Sequence, residues 1–279
     1  MPLIRTRDGV DLHVEEAGRG RPLVFVHEFA GDAASWEPQM RFFARRFRCI
    51  TYAARGYPPS SLAPAYGQEQ ARDDLVAVIE GLDLAPAHVV GLSMGAFATL
   101  HLGLHAPHLA RSLTVAGVGY GAMPAEHAEF AAAARTNAEA IRQGGMDAFA
   151  ARYDSSPARV TFAAKDPRGH AEFRARFAAH PAEGSAGTMQ GVQGGRSSLH
   201  DFAEGLRRLR VPTLLVAADE DAPSLDATLW LKRTIPDSGL AVFPRTGHAI
   251  NLEEPDLFNR TLLDFLTAVD GGAWPFTRS

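Results

Sequence analysis

His88-Val89-Val90-Gly91-Leu92-Ser93-Met94-Gly95-Ala96-Phe97 is the stretch on which the fold turns. A Val-rich apolar run ends at Gly91 and helical spacing begins at Met94, so Ser93 sits on a turn between a strand and a helix. Gly91 and Gly95 stand two residues before and two after it. A turn this tight admits only small residues at those places. It lifts the serine Oγ clear of the sheet and points the helix's free N–H groups and positive dipole end at the reacting oxygen. Ser93 is therefore a candidate nucleophile. The plainer alternative is a glycine-rich packing turn with an incidental serine.

Outward from this turn, strands and helices alternate. Pro22–His27, Cys49–Tyr52, Ala87–Gly91, Leu113–Ala116, Pro212–Ala217 and Leu240–Phe243 read as strands. Ser35 to Arg45, Gln68 to Leu82, Met94 to His105, Ala227 to Thr234 and Pro255 to Ala268 carry helical spacing; Pro255 suits a first helical turn. The alternation predicts an α/β fold, a mostly parallel sheet covered on both faces. Residues 118–210 break the rhythm. Pro124 to Gln143 is Ala-rich and helical, stopped by Gly144-Gly145, and Ser156-Pro157 and Asp166-Pro167 each pair a capping residue with a first-turn proline. The expectation is one core domain, 1–117 with 211–279, carrying a helical cap inserted at 118–210. An independent helical domain is the alternative.

Composition removes several function classes. The chain has 279 residues, with 28 basic against 32 acidic side chains, so no basic excess exists to neutralise a phosphate backbone and no nucleic-acid partner is expected. Hydrophobic residues at 46% and charged residues at 22% are ordinary globular usage, which argues against disorder. Cys49 is the only cysteine, which excludes an internal disulfide and a Cys-rich metal site. Met1–Asp8 has no apolar core of signal-peptide length, and no apolar run approaches the roughly 20 residues that span a bilayer. A cytoplasmic protein without membrane contact is expected. The aromatic tail, Trp274-Pro275-Phe276, either packs onto the body or serves a homodimer contact.

A serine hydroxyl is a weak nucleophile at neutral pH and needs a base. Of eleven histidines, His248 follows the strand Leu240–Phe243 after a short turn, on the sheet edge where Ser93 also lies and where open α/β sheets bind ligands. His101, His105 and His108 lie on or just after the helix behind Ser93 and read as packing or surface groups. The base needs a carboxylate to fix its tautomer, and Asp219, Glu220 and Asp221 compete for that role after the strand ending at Ala217. The oxyanion of a tetrahedral intermediate needs donors. The backbone N–H groups of Met94 and, from the loop after His27, Phe29 are the candidates.

These residues resemble the α/β-hydrolase superfamily over nearly the whole chain. The matching features are His27-x-x-x-Gly31, Arg55-Gly56 with Ser60, Gly91-Leu92-Ser93-Met94-Gly95, Asp221, and Gly247-His248 with Glu253-Glu254-Pro255. The acid of this superfamily usually closes a Gly-x-x-Asp turn; with Ala218 in the glycine place, the resemblance puts the acid on Asp221. The pattern looks most like the branch of esterases, enol-lactonases and perhydrolases with a small helical cap. Ser93 holds the place that an aspartate takes in dehalogenases and epoxide hydrolases. Two departures stand out. Glu28 replaces the usual glycine after His27, and Ala53 replaces an aspartate before Arg55-Gly56. A carboxylate aimed at a developing oxyanion would oppose catalysis, so Glu28 is expected to point away or to be paired.

The reading is a serine hydrolase of a small carboxylic ester or lactone, with catalytic Ser93, Asp221 and His248, an oxyanion hole at Phe29 and Met94, and no metal or cofactor. Trp36 is expected at the substrate, which the cap suggests is largely apolar. Carbon–carbon bond hydrolysis or cofactor-free lyase or oxygenase chemistry on the same residues is one alternative. A non-catalytic ligand-binding protein is the other.

Overall fold

The computed structural model describes residues 3–274. In chain order the core begins with β1 (Leu3–Arg5), β2 (Asp11–Gly18), β3 (Arg21–Val26), α1 (Glu37–Phe43), β4 (Phe47–Tyr52), α2 (Gln68–Gly81), β5 (Ala87–Leu92), α3 (Met94–His105) and β6 (Ala110–Ala116). Five helices follow: α4 (Pro124–Asp154), α5 (Pro157–Lys165), α6 (Pro167–Ala178), α7 (Ala182–Thr188) and α8 (Ala203–Arg208). The core resumes with β7 (Thr213–Ala218), α9 (Ala222–Thr234), β8 (Ser238–Phe243), α10 (Ile250–Glu253) and α11 (Pro255–Asp270).

The eight strands form one sheet in the order β1-β2-β4-β3-β5-β6-β7-β8. At one edge β1 pairs antiparallel with β2 and β2 antiparallel with β4, and every other pairing is parallel. Strand β5 is buried along its whole length, as a central parallel strand between two helical layers must be. Leu75 and Val78 of α2, Leu100 of α3 and Leu231 of α9 pack on one face of the sheet. Met40 and Phe43 of α1 and Phe258, Leu262 and Phe265 of α11 pack on the other. The antiparallel edge lies outside the strands read from sequence. In β2 only Leu12 and Val14 are buried, and Asp11, Glu15 and Glu16 break up its apolar signal.

Residues 118–210 contain helices and no strand among the described residues. The break expected at Gly144-Gly145 is there, but helix resumes at once and runs to Asp154. Gly145 has φ +76° and ψ 176°, and a Cβ on it would meet nothing within 4 Å, so backbone conformation and not space calls for glycine. Asp166 caps α6 by accepting from the Gly169 N–H at 2.9 Å. A third apolar cluster joins this helical segment to the C-terminal edge of the sheet, bringing Phe29, Tyr57 and Met94 against Phe149, Phe162, Phe173 and Phe177. Trp274 packs edge-on against Phe265 at 4.8 Å and donates its indole N–H to the Asp237 carbonyl at 3.2 Å. Pro275 and Phe276 lie outside the described residues. Among the described residues, no helix is long and apolar enough to cross a membrane.

Candidate active site

Ser93 occupies φ +53° and ψ −113°, a conformation that costs a non-glycine residue about 1–3 kcal/mol. The surroundings impose it. Its N–H donates to the Ala116 carbonyl at 2.8 Å, and α3 starts at the next residue. A Cβ on Gly91 would fall 2.2 Å from the Gly95 carbonyl oxygen, and one on Gly95 would fall 2.1 Å from that of Val26. The glycine spacing is a packing requirement of the elbow itself.

His248 follows β8 and is almost fully buried. Its Nδ1 lies 2.6 Å from Oδ2 of Asp221, the residue that caps α9 just past β7. Since an ionised carboxylate can only accept, Nδ1 carries the proton, which leaves Nε2 free to take one. Ser224 Oγ donates to the same Asp221 oxygen. Of the three competing carboxylates, only Asp221 reaches the imidazole; Asp219 instead accepts from the Thr246 N–H at 3.1 Å, and Glu220 is exposed. Burial pushes the His248 pKa down, but the charge and hydrogen bond of Asp221, aided by the charge of Glu28, outweigh it and leave the pKa raised. Burial likewise works to raise the Asp221 carboxyl, and His248 and Ser224 overcome it to hold that pKa low.

Glu253 fixes the histidine loop from below. Its two carboxylate oxygens accept from the N–H groups of Gly247, at 2.8 Å, and Ala249, at 3.1 Å, on either side of His248. The sequence offers Glu253 only as part of a family pattern. Its work depends on α10 folding back under the loop.

The loop after β3 is pinned at several points. His27 Nδ1 donates to the Glu28 carbonyl at 2.7 Å while its Nε2 accepts from the Ala54 N–H at 3.0 Å, and Tyr57 Oη donates to the Phe29 carbonyl at 2.8 Å. Among the described residues, neither the Phe29 nor the Met94 N–H has a backbone acceptor. Glu28 is buried and paired. Arg159 of α5 meets it fork to fork, Nη1 to Oε1 at 2.8 Å and Nη2 to Oε2. Burial alone would raise the Glu28 pKa; the guanidinium overrides it and holds the carboxyl below the usual range.

A cavity of about 260 Å³ lies between the sheet edge and the helical segment. The core lines it with Phe29, Ser93, Tyr120 and His248, and the helical segment with Phe130, Tyr153, Met189 and Gln193 among others. Trp36 is not there, which corrects its assignment to the substrate. The short turn Ala33–Trp36 directs its ring under the sheet, stacked on Phe25 at 5.0 Å and packed against Phe258 at 6.0 Å. No cluster of His, Cys, Asp and Glu suited to a metal ion occurs among the described residues.

A strand–turn–helix serine, a buried His–Asp pair and a cavity on the same sheet edge define a class of catalytic α/β proteins, and comparison with known proteins identifies it. The chain matches the model of the alpha/beta hydrolase family over residues 23–261 and belongs to that family. It is 31% identical over 265 residues to a protein of Azorhizobium caulinodans provisionally named carbamate hydrolase RutD, covering 93% of this chain and 96% of that one. It is 28% identical over 278 residues to the non-heme chloroperoxidase CPO-A1 of Kitasatospora aureofaciens, covering 95% and 99%. Its fold is similar to that of a thermophilic esterase from Thermogutta terrifontis, solved with malate bound, with a TM-score of 0.86 at 26% identity over 96% of this chain and 98% of the other. The protein is thus an enzyme of the α/β-hydrolase class.

Proposed function

We propose that the protein hydrolyses a small carboxylic ester or lactone through an acyl-enzyme. The observation that carries this reading is the 2.6 Å contact of His248 with Asp221 at a cavity that Ser93 also lines. Ser93 Oγ attacks the carbonyl and passes its proton to His248 Nε2, while Asp221 stabilises the imidazolium. The Phe29 and Met94 N–H groups take the oxyanion at the positive end of α3. His248 returns the proton to the leaving alcohol, then activates a water that releases the acid. Because Glu28 is engaged by Arg159, its charge is not directed at the developing oxyanion. Residues 118–210 serve as a cap over the core formed by 1–117 and 211–279, and the cavity of about 260 Å³, just below the roughly 300–1,000 Å³ usual for ligand sites, suits a small substrate.

A second reading has the same acyl transfer act on a carbamate carbonyl, and the relative provisionally named a carbamate hydrolase favours it. Matched p-nitrophenyl esters and carbamates separate the two. For either, Ser93→Ala is expected to lower kcat/KM about 10⁴-fold or more, with loss of labelling by a fluorophosphonate. Ester turnover undiminished in Ser93→Ala overturns the mechanism.

A further inference from the structure

Arg196 lies in the segment between α7 and α8 and is 4% exposed. Its guanidinium stacks 4.1 Å from the Phe97 ring and 5.3 Å from the Phe130 ring. Nη1 donates to the Tyr120 carbonyl at 3.3 Å, but Nε and Nη2 are buried with no acceptor among the described residues. Burial drives its pKa down to about 9, and no carboxylate among the described residues offsets that. A buried guanidinium without a counter-charge is among the costliest arrangements a fold can keep, and it points to a partner that arrives from outside.

The surroundings of Arg196 say where that partner comes from. Tyr120 and Phe130, which touch the guanidinium, also line the cavity with Ser93 and His248, as does Gln193 from the same segment. Phe97 is one helical turn beyond Ser93 and donates its N–H to the Ser93 carbonyl at 3.1 Å. The guanidinium is therefore one side chain behind the wall of the cavity. The other buried arginine of the helical segment, Arg159, commits Nη1 and Nη2 to Glu28 and leaves Nε alone without an acceptor, so it has no free fork to offer.

We infer that Arg196 is the anion-recognition residue of this cavity, and that the substrate is a small, otherwise apolar ester or lactone bearing one carboxylate. The inference rests on the ester-hydrolysis reading for the reacting carbonyl. The carboxylate pairs with Nε and Nη2 in the fork geometry that guanidinium and carboxylate share, and the half-buried Phe130 ring turns aside to admit it.

The test compares p-nitrophenyl hemiglutarate with the neutral p-nitrophenyl valerate, a near-isostere that lacks the charge. The wild-type enzyme is expected to prefer the hemiglutarate by about tenfold or more in kcat/KM, chiefly through KM. Arg196→Met is expected to cut that ratio by about tenfold or more, and Arg196→Lys, which keeps the charge but not the fork, to retain part of it. A wild-type ratio at or below one, or a ratio unchanged in Arg196→Met, overturns the proposal. Should Arg196→Met fail to fold, a ratio unchanged in Arg196→Lys overturns it equally. Glutarate itself separates this proposal from the reading beneath it. If neither ester is turned over but glutarate raises the Tm of the wild type and not of Arg196→Lys or Arg196→Met, ester hydrolysis fails and the anion subsite stands. If the esters are turned over without the expected ratio and glutarate moves no Tm, hydrolysis stands and the subsite falls.

Discussion

Two buried arginines stand behind the cavity lining, Arg159 beside Tyr153 and Arg196 beside Tyr120 and Phe130, and they are held on opposite principles. Arg159, at 1% exposed, lies over the rings of Tyr153 and Phe173 and closes a bidentate pair with Glu28. Arg196 lies over Phe97 and Phe130 and has no carboxylate partner among the described residues. The aromatic packing is alike, so the difference is the counter-charge. A paired buried charge can tie two parts of a fold together, and an unpaired one costs stability unless a charge from outside compensates it. The Glu28–Arg159 pair spans 131 residues of sequence and joins α5 to the loop that offers the Phe29 N–H. It holds the helical segment to the loop after β3.

The largest effect that would break this comparison is on stability. Arg159→Met leaves Glu28 buried without a partner and is expected to cost about 3–5 kcal/mol, read as a fall in denaturation midpoint. The double variant Glu28→Gln with Arg159→Met is expected to recover much of that loss. A single variant as stable as wild type would show that the pair does not bind the two parts. Arg196→Met is expected to move the other way and stabilise by about 1–3 kcal/mol, because an apolar side chain of similar length replaces an uncompensated buried charge. A fall in Tm for Arg196→Met would mean that its stacking on Phe97 and Phe130 outweighs the cost of its charge, and the contrast would dissolve.

Much of the fold is local and therefore legible in the sequence. The elbow shows because Gly91 and Gly95 are demanded by contacts inside one strand–turn–helix unit. The strands β3, β5, β6 and β7 show because parallel strands buried on both faces are continuous apolar runs. Asp221 was ambiguous on residues alone, since three carboxylates share one turn and only the start of α9 decides which faces the imidazole. That helix begins at Ala222, earlier than its apolar spacing suggests. The place of Trp36 under the sheet is not legible in the sequence, because apolar periodicity does not say which way a ring leaves a single short turn. Arg159 and Arg196 gave no signal at all. Their roles depend on Glu28, Phe97 and Tyr120, which are distant in sequence and brought near only by the fold.

A smaller effect concerns Glu253, whose contacts with Gly247 and Ala249 are all hydrogen bonds to backbone N–H groups. Glu253→Gln keeps one acceptor oxygen and loses the other, so one buried N–H is left unpaired at a cost of about 1–3 kcal/mol. The expected kinetic signature is a fall in kcat of about tenfold, because the histidine and not the binding wall is loosened. Loss confined to KM would place Glu253 outside the positioning of His248.

The smallest effect is a displacement of the pH profile, and it sharpens the comparison most. In the proposed mechanism His248 must be neutral to accept the Ser93 proton, so kcat/KM is expected to rise with pH through the pKa of the free enzyme's imidazole. Asp221 and then Glu28 raise that pKa against burial, while the charge of Arg159 opposes them. The acid limb of the wild type therefore lies above the ordinary histidine value of 6.5. Glu28→Gln removes a nearby negative charge and leaves the Arg159 cation uncompensated. Both changes disfavour the imidazolium, so the acid limb is expected to move to lower pH, measurable as kcat/KM on a neutral ester across the acidic range. Arg159→Met, if folded, removes the opposing cation and should move the limb to higher pH. Arg196 is not among the largest charges acting on His248, so Arg196→Met should move the limb least on the same neutral ester. Opposite shifts for the two members of the pair, with the least for Arg196, would separate an arginine coupled electrostatically to the catalytic base from one that waits for a substrate charge. A shift of equal size for Arg196→Met would mean that both arginines act on the base, and the distinction between them would lie in packing alone.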